Sequence, residues 1–566
     1  MKKTILLLIA AVPAFVLPSC QSLDVYPADQ MASAEFFRNE AHAKDAMMGV
    51  YSMMQNDHVF GLQFSMDVLG GICMGYDAQS YQPIARGTYD VTNTWVENKW
   101  KNIYEGVARA NVVLQNLDRC NMSDSLKIQY RGEARFMRAL YYFALLDFFG
   151  GVPIYDETTV VRDEYAKMLK PRSSAEEVRS FILRDLSYAE ASLPEEWDQS
   201  NYGRATRYAA TALKGKVYLF AHRYEEASGC FSEIISSGRF ELYKDYAALF
   251  KPGGDSSSEM IFAIQNMGGV GTDHGMKLAF YLGTRETFGS CWNNVMGADA
   301  LVNSYEYLDG RPFSWEDWFP GFNTNTSVKN STFLATVRNG NTLVSYPASR
   351  PKLLQMYSER DPRMTQTFIM PYTSYKGWNS NAEEDCEYIV ASGISSGYNM
   401  IRVNNNYMAY LFRKFVPEGN MNGAINDRAH TPINFPLIRY ADVLLMQAEC
   451  LNELDDLDGA AALVNQVRAR SGMPGINSGS AYLRATTKSD MFNRIRHERA
   501  VELAGEGHSF ADMKRWGLLE TLDGVRECQI TGTYIFTRSV DSRDYLWPIP
   551  ATEIEKNPLL KQNPDW

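Results

Sequence analysis

Apolar positions recur at helical spacing over much of this chain, and the gaps between those runs divide it. Ser33 caps a first predicted helix whose face is Phe36, Phe37, Ala41, Met47, Met48 and Tyr51. Residues 57–94 lose the period, are rich in Gly, Asp and Tyr, and read as a long loop. A second helix carries Trp100, Ile103, Tyr104, Val107, Asn111 and Leu114 on one stripe. Asn111, polar within that stripe, needs hydrogen-bond partners and reads as a contact between helices. A third helix, roughly 124–149, presents Ala134, Met137, Tyr141, Ala144, Leu145 and Phe148. It stops at Gly150-Gly151-Val152-Pro153, where Gly accepts left-handed dihedrals and Pro cannot continue the helix. The fourth opens on a capping box, Ser174-Ala175-Glu176-Glu177, and ends at Pro194.

An internal repeat follows. Arg207-Tyr208-Ala209 opens a predicted helix pair that closes at Gly238, and Arg439-Tyr440-Ala441 opens another that closes at Gly472, 31 and 33 residues on. A helix–turn–helix unit with a period near 34 residues is of tetratricopeptide length. Such units bury their faces only against neighbours, so the earlier helices join one stack. Residues 240–435, between the copies, are rich in Gly, Asn, Ser and aromatics and too long for a loop. The pattern predicts a mainly α fold: a tetratricopeptide-like scaffold over 33–239 and 436–566, with a large irregular insertion of short strands over 240–435.

The N-terminus changes the setting. Lys2 and Lys3 precede an apolar run from Ile5 to Leu17, too short for a membrane span, and then Leu17-Pro18-Ser19-Cys20. Residues 1–19 read as a signal peptide, and a cysteine at the cleavage point predicts acyl chains on Cys20, with 20–32 as a tether. Net charge is −11, and −13 once Lys2 and Lys3 are lost. No Lys/Arg stripe offers to neutralise phosphates, which argues against nucleic acid. The other seven cysteines are scattered, with neither a disulfide framework nor metal-ligand spacing, and read as small apolar side chains.

Several blocks resemble the SusD/RagB family of outer-membrane nutrient-binding lipoproteins. Leu23-Asp24 and Pro27 precede Phe36-Phe37 and Gly49-Val50-Tyr51, and Trp100, Tyr104 and Asn111 follow. Then come Gly132-Glu133-Ala134-Arg135-Phe136-Met137-Arg138-Ala139, Phe149-Gly150-Gly151-Val152-Pro153, Asp309-Gly310 and Arg360-Asp361-Pro362-Arg363. The C-terminal third supplies Arg439-Tyr440-Ala441-Asp442, Glu498-Arg499-Ala500-Val501-Glu502-Leu503, Glu506-Gly507, Met513-Lys514-Arg515-Trp516, Pro548-Ile549-Pro550 and Asn557-Pro558. His508-Ser509 departs from the Arg-rich pair usual before Phe510, and the residues after Cys20 are only mildly acidic. The resemblance implies a lipid-anchored protein of the outer membrane, facing the cell surface. It implies capture of an oligosaccharide, or sometimes a peptide, and delivery to a SusC-like TonB-dependent transporter, without catalysis. A tetratricopeptide scaffold that binds only proteins is the alternative.

Composition agrees with sugar capture: the chain holds 33 Tyr and 10 Trp, and flat rings cover the apolar face of a sugar while Asn, Asp and Arg engage its hydroxyls. Aromatics on helix stripes, such as Trp100, Tyr141, Tyr142 and Trp516, read as core. Those in polar loops are candidates. Trp95, with Asn98 three residues on, opens the second helix on one face, where the resemblance puts a border of the ligand site. The loop before it offers Asp77, Tyr81 and Arg86, and the insertion offers Trp292 and Trp378. Trp315 and Trp318, bracketed by Pro312 and Pro320, read as a self-packed loop. No catalytic residue is assigned: Glu383, Glu384, Asp385 and Glu387 read as a solvated loop, and Asp361 as a partner of Arg360 or Arg363. His497 and His508 read as locally bonded, and Glu498, Arg499, Glu502 and Arg515 as helix-stapling charges. No metal ligand or cofactor is assigned; without an Asp-rich EF-hand loop, only a structural Ca²⁺ is left open.

Overall fold

A computed structural model describes residues 36–159, 169–268, 275–394, 400–401 and 407–566. Cys20, Ser33 and everything before Phe36 lie outside the described residues. The longer helices are α1 (Glu40–Tyr51), α2 (Thr94–Asn116), α3 (Asp124–Phe149), α4 (Ala175–Ser192), α5 (Arg207–Leu219), α6 (Tyr224–Ser236), α7 (Tyr440–Glu453), α8 (Leu457–Arg470) and α9 (Lys488–Glu502). From α2 to α7 each packs on the next, and α7, α8 and α9 pack on one another. The two repeat units, α5–α6 and α7–α8, are therefore neighbours in space. Each ends on a left-handed glycine, Gly238 (φ 64°) and Gly472 (φ 72°).

Local rules account for most of these helices. Ser174 and Glu177 close the expected capping box on α4. The Asn111 amide donates to the Tyr155 carbonyl (3.0 Å), and its oxygen accepts from Arg138 (2.7 Å), which also clasps buried Asp185. Asn111 is thus a contact between helices, as its place on the stripe requires.

Two expectations fail. The described N-terminal helix starts at Glu40, with Asn39 as its cap, and its buried face is Ala43, Met47 and Val50; Ala41 and Met48 are exposed. Phe37 is buried ahead of the helix, because residues 38 and 39 turn to meet Asn121. Residues 57–94 are no loose loop. They form short helical turns at Asp57–Gly61, Gln63–Ser65, Met66–Leu69 and Gln82–Ala85 and a strand, β1 (Cys73–Gly75). Val59, Leu62, Phe64, Val68 and Met74 are buried. Chain covers this segment on more than one side, so its apolar residues need no period.

Between α6 and α7 the chain runs through short helices and strands. Among the described residues every sheet is a two-stranded antiparallel ladder. β2 (Met260–Ile264) pairs with the strand Phe435–Arg439, directly before α7. β3 (Val295–Gly297) pairs with β1 and so ties this region to the N-terminal part. The cysteines of the described residues are free, and all but Cys528 are buried.

Arg207 and Arg439, equivalent by the repeat, do different work. Arg207 pairs with Glu233 at the surface (2.6 Å). Arg439 ends the Phe435–Arg439 strand in the core and donates to Glu259 (2.7 Å), Glu502 (2.7 Å) and Glu506 (2.8 Å). Arg363 binds Asp361 (2.7 Å), Glu498 (2.6 Å) and Glu502 (3.0 Å). Lys414 binds Glu506 (2.6 Å), Arg468 binds Glu306 (2.9 Å) and Glu498 (3.1 Å), and Arg470 reaches Glu502 and Glu259. The side chains of this network are buried or nearly so. Glu498 and Glu502 thus staple α9 to its neighbours as expected, but from within the core, and Arg363, not Arg360, holds Asp361; Arg360 donates to the carbonyls of Val302 and Tyr305. Burial alone would raise the Glu502 carboxyl, but Arg470, Arg439 and Arg363 hold it well below the usual carboxylate range. Glu506 is likewise lowered against its burial by Arg439 and Lys414.

Removing one partner strands the others. Arg439→Met should cost about 3–5 kcal/mol in denaturant unfolding, the usual cost of breaking a buried pair. The network also sets an acid limit. Carboxylates with lowered folded pKa contribute stability that is complete above the unfolded Glu value of about 4.3 and is lost as pH falls further. Melting temperature should therefore drop between about pH 5 and pH 3, and drop less in Arg439→Met, whose Glu502 and Glu506 are no longer held down by that guanidinium.

Candidate functional site

Half-buried aromatic side chains collect where the 57–94 segment and the start of α2 meet the region after β2. Asn93 caps α2, its side chain accepting from the Trp95 N–H (3.0 Å), which fixes Trp95 in the first turn. The Trp95 ring meets Tyr81 edge-on (5.6 Å) and His58 at 4.7 Å. Burial lowers the His58 pKa. Asn98 lies one turn on, half-buried, with its carbonyl taken by the Asn102 amide (2.7 Å). Asp57, next to His58, pairs with Lys277 (2.8 Å).

The turn after β1 connects this end to Trp292. Asp77 accepts from the Ser80 N–H (3.0 Å) and from the Asn294 amide, and burial raises its carboxyl. The Tyr76 hydroxyl donates to the Trp292 carbonyl (3.2 Å), and its ring stacks on Tyr407 (5.4 Å between centroids). Trp292 leans on Phe280 (4.7 Å), over whose ring the Arg428 guanidinium lies at 4.7 Å. Trp378, on β4 (Ser374–Asn379), packs on Phe288 (5.6 Å) and donates its backbone N–H to the Glu286 carbonyl (2.7 Å). Neighbouring rings thus set the tilt of all three half-buried indoles. Each leaves part of its surface to solvent, beside amide, carboxylate and guanidinium groups. Such a face can stack the apolar side of a sugar ring and bond its hydroxyls.

The structure links Trp95, Asp77 and Trp292 through these contacts and gives Trp378 its own support on Phe288. Tyr81 plays another part: it is 1% exposed, sits at φ 55°, and props Trp95 from behind. Arg86 is exposed at the end of the Gln82–Ala85 turn. His58, Tyr76, Phe280, Tyr407 and Arg428 went unmarked. Only the polar triple Asn56-Asp57-His58, set among apolar neighbours, offered a sign of the first. Trp315 stacks on Phe322 (4.2 Å) and Trp318 donates to the Tyr307 hydroxyl (2.7 Å), a self-packed group as their prolines suggest.

The acidic candidates lie on the β4–β5 hairpin, β5 being Ala382–Glu387. Glu383 and Asp385 approach Lys376 at 3.8 Å, and Glu387 binds Arg350 (2.9 Å). The histidines read as locally bonded reach further: His508 contacts Lys216 (3.4 Å), and His497 lies 3.9 Å from Glu306. Among the described residues no three or more His, Cys, Asp and Glu side chains group closely enough to hold a metal ion.

Comparison with known proteins adds an independent line. A family model described as the SusD family matches residues 258–566, and one described as starch-binding and associating with the outer membrane matches residues 22–219. SusD-like protein P25 of Formosa agariphila is 25% identical over 573 residues, covering 97% of each chain. The starch-binding protein SusD of Bacteroides thetaiotaomicron is 22% identical over 463 residues, 78% of this chain and 74% of that one. A SusD-like protein from Bacteroides fragilis has the same fold, with a TM-score of 0.76 at 22% identity, over 96% of this chain and 100% of that one.

Proposed function

The chain belongs to the SusD/RagB family, and from that premise we propose that it binds oligosaccharides at the outer membrane through the face carrying Trp95, Trp292 and Trp378. It then passes them to a SusC-like TonB-dependent transporter and performs no catalysis itself. Acyl chains on Cys20 hold it at the cell surface; among the described residues no helix is long and apolar enough to cross a membrane. The observation that carries the reading is the set of half-buried indoles, each held by a neighbouring ring, beside Asp77, Asn98 and Arg428. The starch-binding relative supports the ligand class.

Covering about 80 Å² of a sugar's apolar face contributes roughly 2 kcal/mol per ring at about 25 cal/mol per Å². One or two such rings with a few hydrogen bonds give dissociation constants of roughly micromolar to millimolar. Weak capture suits a protein that must release its ligand onward.

Calorimetry with oligosaccharides cut from starch and laminarin, and with peptides, tests this. Trp95→Ala and Trp292→Ala should each weaken oligosaccharide binding about ten- to thirtyfold while leaving the circular dichroism unchanged. Unaltered affinity in both variants, or binding to peptides alone, would overturn the reading.

A further inference from the structure

A separate cleft opens against β2. The 195–206 connection between α4 and α5 lies against that strand and encloses a cleft of about 350 Å³, whose floor is Met260–Ala263. Trp197 forms one wall. Its indole N–H donates to the Ala205 carbonyl (2.9 Å), and the Arg204 guanidinium lies 3.9 Å from the ring centre. Arg204 is itself tied to buried Glu133 (2.9 Å), so the half-buried ring is fixed in place. Tyr202, on the same connection, lines the cleft and is 37% exposed.

Polar groups stand beside these rings. Gln265 and Glu196 also line the cleft, and Arg239 pairs with Glu196 (3.2 Å) and with Glu195. The lining acids, Glu195 and Glu196, match the lining bases, Arg204 and Arg239, in number, so the cleft selects for no net charge. Its volume sits at the small end of ligand pockets, about 300–1,000 Å³, and suits one or two sugar rings.

We infer that this cleft is a second carbohydrate site, which takes the end or a branch of a neutral oligosaccharide against Trp197 and Tyr202 and bonds its hydroxyls through Gln265 and Glu196. The inference rests on the proposed glycan binding for its ligand class. A polar strip joins the two sites. The Gln265 carbonyl accepts from Gln55 (2.8 Å), Gln55 accepts from the Gly275 N–H (3.1 Å), and Lys277 reaches Asp57 at the aromatic face. Two weak sites on one rigid body raise affinity for a long chain that reaches both.

The test uses the full mature chain and the same starch and laminarin oligosaccharides. Trp95→Ala/Trp292→Ala should keep a weak, saturable site, with hydrogen-exchange protection over residues 197–206 at saturating sugar. Adding Tyr202→Ala, whose exposed ring carries little of the core, should weaken that residual binding about tenfold. Complete loss of binding in the double variant, while the unaltered chain still binds, would overturn this inference alone. Residual binding unchanged by Tyr202→Ala, or absence of protection at 197–206, would overturn it too and leave only water for the cleft. Failure of the unaltered chain to bind any oligosaccharide would sink both readings together.

Discussion

The structure depends on neutralising charge in its interior. Arg363, Lys414, Arg439, Arg468 and Arg470 are taken out of water, and Asp361, Glu259, Glu306, Glu498, Glu502 and Glu506 answer them there. Such pairs add little net stability compared with a well-packed apolar core, but once formed they tolerate no missing member. Their geometry is specific: a guanidinium that must meet three carboxylates at once accepts few arrangements of the elements that bring them. Glu259 leads into β2, Arg439 ends the strand paired with it, Arg468 and Arg470 end α8, and Glu498 and Glu502 end α9. The region between α6 and α7 is therefore built into the body of the scaffold at its root.

The aromatic face inherits that rigidity. It forms where two remote parts of the chain meet, the 57–94 segment and the stretch after β2, and both are fastened from beneath. β1 pairs with β3, Asn294 bonds Asp77, and Lys277 pairs with Asp57. Each indole rests on another ring: Trp95 on Tyr81 and His58, Trp292 on Phe280, Trp378 on Phe288. Such surfaces are already in position, so a ligand stacking on them would spend little of its binding free energy on ordering them.

Sequence reasoning succeeded where structure is local. The period along α3, the capping box on α4, the terminal glycines of the two repeat units and the hydrogen-bonding need of Asn111 all express short-range rules, and all are found. It failed where coverage or distance decides. The 57–94 segment is packed too closely for a one-sided apolar pattern to develop, so it passed for a loop. Tyr81 sat in polar company in the sequence yet is buried behind Trp95. His58 and Arg428 reach the face through neighbours remote in the chain, and no spacing in one sequence reveals that. The blocks that pointed to the family, with Glu133, Arg138, Arg363, Arg439 and Glu502, are largely the buried-charge residues. They report how the scaffold is held and carry little about what it captures.

Glu502 takes its partners from residues 363, 439 and 470, and Arg439 reaches back to Glu259 and on to Glu506. Nearly all of the polypeptide must therefore be present before the interior can settle. A chain cut short between α7 and α9 would carry Arg363 and Arg439 with no Glu502 to receive them. The last long helix thus closes a charge balance opened by strands and turns far ahead of it.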